Sequence, residues 1–184
     1  MRSRRFSALA LSMLAVGCGA HPGGTRGGSP PAPIASVALR VVSGWDSVFV
    51  LDSTEPVDTT HLGSIIREEI QRPHFDQSWA KGLSDQEHAA AEDLLAASRA
   101  RWPVDVAGLK DDRFRTTPRV IRPLGHEFGF VALSPVGFNK DSSLAAIVID
   151  FNCGNMCATA SLVFLARTAV GGWQRLDDRI LRQE

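Results

Sequence analysis

Two cysteines in the stretch FNCGNMCATA, Cys153 and Cys157, are the side chains of this sequence best suited to chemistry. A pair three residues apart can form a disulfide, act as a thiol redox couple or supply two ligands to a metal ion. Strand-like sequence on both sides predicts a hairpin, and residues that close a hairpin lie about 4.5 to 5.5 Å apart at Cα. That separation is within the range of a disulfide, so we predict a Cys153–Cys157 bridge at the hairpin tip.

The redox and metal alternatives need more than the pair provides. Thioredoxin-type redox motifs have two residues between the cysteines, and a structural zinc site needs four ligands. The spacing is similar to the copper-binding motif of thioredoxin-like copper-delivery proteins, which have a proline after the second cysteine and a downstream histidine. This chain has Ala158 there and no histidine after His126. We predict no metal and no cofactor, and keep a thiol redox or metal-binding factor as the alternative.

Three other patterns are weaker candidates for a site. Ser78 and Lys81 match the S-x-x-K acylation motif, but the companion K-T-G motif is missing from the sequence. His88 and Glu92 have helical ligand spacing, which a solvated helix face explains equally well. The polar stretch 52–55 follows a predicted strand and is interpreted as a turn, although strand ends also carry binding sites. No catalytic residue is predicted.

The N-terminus has the layout of a bacterial secretory signal, with three arginines in the first five residues followed by a short apolar run. Its end, Ala15 to Cys18, resembles the lipobox of bacterial lipoproteins. The resemblance implies cleavage before Cys18, acylation of Cys18 and, because Gly19 rather than Asp follows, sorting to the outer membrane with the domain facing the periplasm. The alternative is ordinary cleavage after Ala20, which would yield a secreted or soluble periplasmic protein.

The expected domain organisation is a signal peptide (1–17), a lipidated cysteine with a flexible Gly/Pro tether (18–33) and one globular domain (34–184). The tether contains no large apolar residue and cannot offset the entropy cost of ordering. The whole chain has 20 basic and 20 acidic side chains, and loss of the signal peptide leaves a net charge of −3. Without a basic cluster, no nucleic-acid partner is expected.

Periodicity predicts the secondary structure that positions the cysteines. Helices are expected at 34–43, 64–71 and 84–102, the last with a capping box at Ser84 and Glu87, and a strand at 47–51. Four further strands are expected at 128–134, 144–151, 158–167 and 173–180, with 119–123 as a possible fifth. The predicted fold is α+β, with N-terminal helices packed on a C-terminal antiparallel β-meander of four to five strands. The strand at 144–151 is apolar on both faces and is expected to be central.

The C-terminal third also resembles a group of uncharacterised secreted bacterial proteins. The shared features are a serine and Phe-Asn before a strand, an alanine-containing apolar strand, a C-G-x-x-C loop and Gly-x-Trp. The matching positions here are Ser134, Phe138, Asn139, Ala146, Cys153, Gly154, Cys157, Gly172 and Trp173. The resemblance implies fold and location but no activity. The sequence thus predicts a non-catalytic lipid-anchored protein that contacts the membrane through its lipid and binds or supports an unidentified envelope protein or small ligand.

Overall fold

The computed structural model describes residues 27–42, 48–57, 60–71, 82–109, 111–117, 129–152 and 157–183. The helices within these ranges are α1 (Ala32–Ala38), α2 (His61–Gln71) and α3 (Asp85–Ala97), with short 3-10 turns at Leu39–Val41 and Ala107–Leu109. The strands are β1 (Val48–Leu51), β2 (Phe114–Thr117), β3 (Gly129–Leu133), β4 (Gly137–Phe138), β5 (Leu144–Asn152), β6 (Ala158–Arg167) and β7 (Trp173–Gln183). These seven strands form one sheet in the order β2-β1-β3-β5-β6-β7, and β4 pairs with β5.

The α+β class is confirmed, but the sheet is larger than the predicted meander. Strands β3, β5, β6 and β7 pair antiparallel in sequence order, as a meander requires. Beyond β3 the sheet continues through β1 and β2, and both of these ladders are parallel. Parallel neighbours need a long crossover connection. The chain from β1 to β2 supplies one, because it carries α2 and α3.

Strand β5 has the central position that its two-faced apolar sequence predicts, and its first six residues are buried. Alternate residues belong to two separate clusters: Ile147 packs on the side of α1, and Val148 on the side of α2 and α3. The sheet therefore has a helical layer on each face. Burial on both faces explains why polar side chains enter β5 only from Asp150 onward.

Helix α3 begins as its sequence predicts and ends earlier. The Ser84 backbone N–H donates to Glu87 Oε2 at 2.7 Å and the Glu87 N–H donates to Ser84 Oγ at 3.4 Å, which completes the capping box. The helix ends at Ala97 rather than Trp102, because the Trp102 backbone pairs elsewhere. Its N–H donates to Thr54 Oγ1 at 2.9 Å, and its carbonyl accepts the Thr54 N–H at 2.8 Å.

Part of the predicted tether belongs to the folded domain. Gly28 forms an antiparallel bridge with Val136, with hydrogen bonds of 3.0 and 2.9 Å in the two directions. Gly27 is buried, and α1 begins at Ala32 with Pro33 in its first turn. Ordering of this glycine-containing segment depends on pairing with Val136, which lies between β3 and β4, and composition alone does not reveal this contact. The folded domain thus starts before residue 34, the boundary predicted from sequence.

Several sequence predictions fall outside the described residues. These include the signal peptide, Cys18, most of the tether, the Ser78/Lys81 motif, the possible strand at 119–123 and Cys153. In the described part of the chain, no helix combines the length and the apolar character needed to cross a bilayer.

Candidate functional site

A pocket of about 270 Å³ opens on the α2/α3 side of the sheet, beside the end of β5 that leads to the cysteine hairpin. Its floor is formed by Phe130, Ala132 and Ser134 of β3 and its extension, and by Val148 and Asp150 of β5. Its walls are the segment 55–57 after β1 and the first residues of α2, 60–62. Arg182 from β7 closes the side opposite β1.

Strand register explains why charged residues meet on this floor. Ala132 pairs with Asp150, Asp150 with Ala160, and Ala160 with Arg182, so the four residues form one row across β3, β5, β6 and β7. Residues in one row share a face of the sheet. Each alanine has only a methyl group on this face, so the Arg182 side chain can pass over Ala160 to reach Asp150, and the pocket floor is low at Ala132.

Asp150 and Arg182 form the main polar contact of the pocket. Arg182 Nη2 donates to Asp150 Oδ1 at 2.8 Å, and the two side chains are 32% and 31% exposed, respectively. At this partial burial the pair is less screened than a surface ion pair, although solvent still weakens it. The Arg182 charge is therefore compensated inside the protein.

The segment after β1 brings a second carboxylate to the pocket. It was predicted to be a turn, but Ser53 forms an antiparallel bridge with Pro103, and the fully buried Thr54 binds the Trp102 backbone. The Glu55 N–H then donates to Leu133 O at 2.8 Å. These contacts carry the chain from β1 across the top of β3, and they place the half-buried Glu55 on the pocket wall.

The remaining polar groups of the pocket have structural hydrogen bonds. Ser134 Oγ donates to Pro135 O at 2.7 Å and accepts from the Val148 N–H at 2.8 Å, so this hydroxyl links β3 to β5. Thr60 Oγ1 donates to Val57 O at 2.8 Å next to the start of α2. His61 is exposed at the pocket rim, and its carbonyl accepts the Ser64 hydroxyl at 2.7 Å. The arrangement suits holding a ligand better than activating a nucleophile.

The predicted site residues lie apart from this pocket or outside the described residues. Cys157 is exposed immediately before β6, and Cys153 is not among the described residues. Pairing with Cys153 therefore stays a prediction, as does lipidation of Cys18. His88 Nδ1 and Glu92 Oε2 lie 3.7 Å apart on the exposed side of α3, as a solvated helix face predicts. In the described ranges, no three His, Cys, Asp or Glu side chains are grouped closely enough to hold a metal ion.

Sequence reasoning missed the pocket because its charged residues are distant in sequence. Asp150 and Arg182 are 32 residues apart in sequence, and Glu55 precedes both of them by more than 90 residues. Two signals were available: the polar stretch 52–55 after a predicted strand, which contains Glu55, and the placement of Asp150 at the end of an otherwise apolar strand, where a charge needs a partner. Comparison of the chain with protein families, curated proteins and solved structures found no match.

Proposed function

We propose that this chain is a lipid-anchored protein of the cell envelope whose single domain binds an envelope component or a small ligand without catalysing a reaction. The observation that carries the binding role is the pocket, in which Glu55, Asp150 and Arg182 surround a largely apolar floor. Concave apolar sites with a few convergent polar groups are the usual form of ligand sites. Membership of the uncharacterised secreted group is part of the same proposal.

The anchor is supported by the N-terminal sequence. The basic start, the short apolar run and the lipobox-like residues before Cys18 together favour acylation and attachment to the outer membrane, with the domain in the periplasm. Multiple acyl chains on one residue give stable anchoring, whereas a single chain gives only marginal binding. We also propose that the helices that precede the β-meander in sequence cover it in the fold. Contacts of α3 with β4 and β5, and of α1 with β6 and β7, support this arrangement.

Fractionation of a Gram-negative host that expresses the full chain tests the anchor. The wild-type protein should remain with the outer membrane, and its intact mass should include acyl groups on Cys18. Cys18→Ser should move the protein to the soluble periplasmic fraction, whereas Cys153→Ser should leave it in the membrane. Retention of Cys18→Ser in the membrane, or an intact mass without acyl groups, would refute the anchor.

A second candidate function is a thiol redox or metal-binding factor that uses the C-x-x-x-C pair. It is favoured by the exposure of Cys157, because reactive cysteines must be reachable. A redox disulfide should be reduced by a glutathione buffer, while a structural disulfide should resist it. Alkylation and mass analysis after equilibration in such buffers distinguishes the two. Substantial reduction at a poise near that of glutathione would favour the redox function over the binding function.

A further inference from the structure

The chain enters the folded domain at one end of the sheet. The bridge between Gly28 and Val136 is antiparallel, so Gly27 lies beside the segment in which β4 leads into its turn with β5. Asp93 of α3 supports this placement, because its Oδ2 accepts the Phe138 N–H at 2.9 Å and would lie 3.2 Å from a Cβ on Gly27. The N-terminal segment therefore joins the domain near the end of the sheet at which β5 begins.

The chain between the proposed anchor at Cys18 and this entry point is short. Nine residue steps separate Cys18 from Gly27. A chain of that length spans about 32 Å when fully extended and about 15 to 18 Å on average when flexible. A domain of about 150 residues has a radius of gyration of about 15 Å. Acylation of Cys18 would therefore hold this end of the sheet next to the lipid headgroups.

Two turns form this end of the sheet. One connects β4 to β5 (139–143), and the other connects β6 to β7 (168–172). They are joined directly, because the Arg167 N–H donates to Ser143 O at 2.7 Å. We refer to residues 139–143 and 167–172 together as the turn surface.

An apolar side chain projects from the turn surface. Val170 is 95% exposed, more than any other large hydrophobic residue in the described part of the chain. Its turn is closed by hydrogen bonds from the Thr168 N–H to Gly172 O at 2.8 Å and from the Gly172 N–H to Thr168 Oγ1 at 2.9 Å. Next to the turn, the Trp173 ring packs against Phe138 with the centroids 6.1 Å apart. The fold thus supports Val170 at the tip without burying it.

The exposed charges of the turn surface have a positive sum. Lys140 and Arg167 are its cations and Asp141 is its one acid, so the sum is +1. The Asp141 carboxylate already accepts two hydrogen bonds from Ser143. Anionic headgroups attract basic side chains, and an apolar side chain adds affinity when it enters the boundary with the acyl chains. A lipid surface complements both features of the turn surface, and the proposed anchor places one beside it.

We propose that the turn surface docks on the bilayer that holds the acyl chains of Cys18, with Val170 inserted among the headgroups and Lys140 and Arg167 against anionic phosphates. The proposal rests on the lipid anchor proposed above and adds a second contact with the membrane. The anchor makes a weak contact effective because it keeps the turn surface at a high local concentration beside the lipid. Docking would direct the pocket, which lies toward the opposite end of β5, away from the membrane.

Paramagnetic relaxation of backbone amides measures this contact. The acylated chain, verified by intact mass, is reconstituted into nanodiscs of phosphatidylethanolamine and phosphatidylglycerol that contain a lipid with a nitroxide on its headgroup. Amide protons close to the headgroups then relax faster. The Gly171 amide at the tip should show a several-fold larger enhancement than the Thr159 amide, which lies at the opposite end of β6.

An apolar variant separates docking from tethering alone, because a tether also brings this end of the domain close to lipid. Val170→Ser should lower the docking equilibrium constant about tenfold, the loss expected when one apolar side chain of this size is no longer buried. The enhancement at Gly171 should fall accordingly. The matched control is Ile180→Ser, because Ile180 is 62% exposed and lies on β7 outside the turn surface. This variant should keep the wild-type enhancement.

Charge variants test the contact with the headgroups. The double variant Lys140→Gln/Arg167→Gln should reduce the enhancement at Gly171, and so should nanodiscs without phosphatidylglycerol. Arg115→Gln removes an exposed cation from β2, outside the turn surface, and should have no effect. An unchanged amide spectrum in the core strands shows that each variant is folded.

Several results would overturn the proposal. Equal enhancement at Gly171 in the wild type and Val170→Ser would show that the domain is tethered without docking, and the anchor would still stand. A larger enhancement at Thr159 than at Gly171 would place the opposite end of the sheet on the lipid. No effect of Lys140→Gln/Arg167→Gln would remove the headgroup contact. An intact mass without acyl groups would refute the anchor itself, and docking with it.

Discussion

Arg182 Nη2 lies 2.8 Å from Asp150 Oδ1, although the two residues belong to strands that are not neighbours. Their backbones are two strand spacings apart, about 9 to 10 Å, and Ala160 of β6 lies between them in the same row. The contact is possible because the intervening side chain is a methyl group. Ala160 is fully buried, so the ion pair and the helical layer close the space above it.

A larger side chain at position 160 should therefore break this ion pair. Ala160→Leu should lower the free energy of unfolding by about 1 to 3 kcal/mol, as is typical when a packed site is overfilled. Part of that loss should come from separating Asp150 and Arg182. In a double-mutant cycle with Arg182→Ala, measured by denaturant unfolding, we expect a coupling energy of at least about 0.5 kcal/mol.

The half-buried Ala166 on the same strand provides the control for this cycle. Ala166→Leu should show no coupling to Arg182→Ala beyond the scatter of about 0.3 to 0.5 kcal/mol expected for independent sites. An equal cost of Ala160→Leu with and without Arg182 would show that Ala160 does not determine the geometry of the pair.

The row that contains Asp150 and Arg182 also shows that the sequence predicts the strands but not their exact register. The strands β5, β6 and β7 are predictable because their apolar runs are long and separated by short connectors. The pairing of β6 with β7 contains a register shift between Ala160 and Ser161. Without this bulge, Leu181 rather than Arg182 would face Ala160. A single extra residue thus decides which side chain reaches the pocket, and apolar periodicity does not encode it.

Local signals were sufficient for the start of α3 and insufficient for β2. The capping box of α3 is formed by residues three positions apart, so the sequence alone predicts where the helix begins. Strand β2 has four residues, and only Phe114 and Thr117 at its ends are buried. Its pairing with β1 connects segments more than 60 residues apart. Such an edge strand has no periodic pattern of its own and depends on a neighbour that the sequence does not identify.

Gly137 marks the closest approach of α3 to the sheet. A Cβ at this position would overlap the Leu94 backbone nitrogen and the Ala90 carbonyl oxygen, neither of which can rotate away. Gly137→Ala should therefore lower the free energy of unfolding by about 3 kcal/mol. The matched control is Gly28→Ala, because a Cβ there would make ordinary contact with the Trp102 ring at 3.7 Å. Chemical denaturation measures both variants, and equal costs would refute tight packing at Gly137 as the cause.

The predicted Cys153–Cys157 bridge closes a small ring and should contribute modestly to stability. On the chain-entropy account a ring of this size contributes about 2 kcal/mol at most. The double variant Cys153→Ser/Cys157→Ser should lose up to that amount and still fold, as measured by denaturant unfolding. Treatment of the wild-type chain with reductant should have the same effect, and reductant should not change the variant. Complete unfolding of the variant would mean that more of the core depends on this hairpin than the pairing of β5 with β6 indicates.

The turn between β4 and β5 should show a measurable dependence on pH. The Ser143 hydroxyl donates to Asp141 Oδ1 at 2.7 Å and the Ser143 N–H donates to the same oxygen at 3.1 Å. These bonds, the hydroxyl first, lower the pKa of Asp141 below its usual 3.8. A carboxylate with a depressed folded-state pKa stabilises the fold above its unfolded-state pKa. That contribution is lost as the pH falls through the folded-state pKa.

Ser143→Ala removes the hydrogen bond from the Ser143 hydroxyl, which is the largest cause of the lowered pKa. The pKa of Asp141 should therefore rise toward 3.8 in a ¹³C carboxyl titration. The stability difference between wild type and Ser143→Ala should be largest near neutral pH. It should shrink as the pH falls through the wild-type Asp141 pKa and be lost below it, because protonation removes the charge that the hydroxyl favours. Ser64→Ala, which removes a hydroxyl from the exposed side of α2, should leave the Asp141 titration unchanged. If the Asp141 pKa in Ser143→Ala matched that of wild type, the hydroxyl would not be the source of the shift.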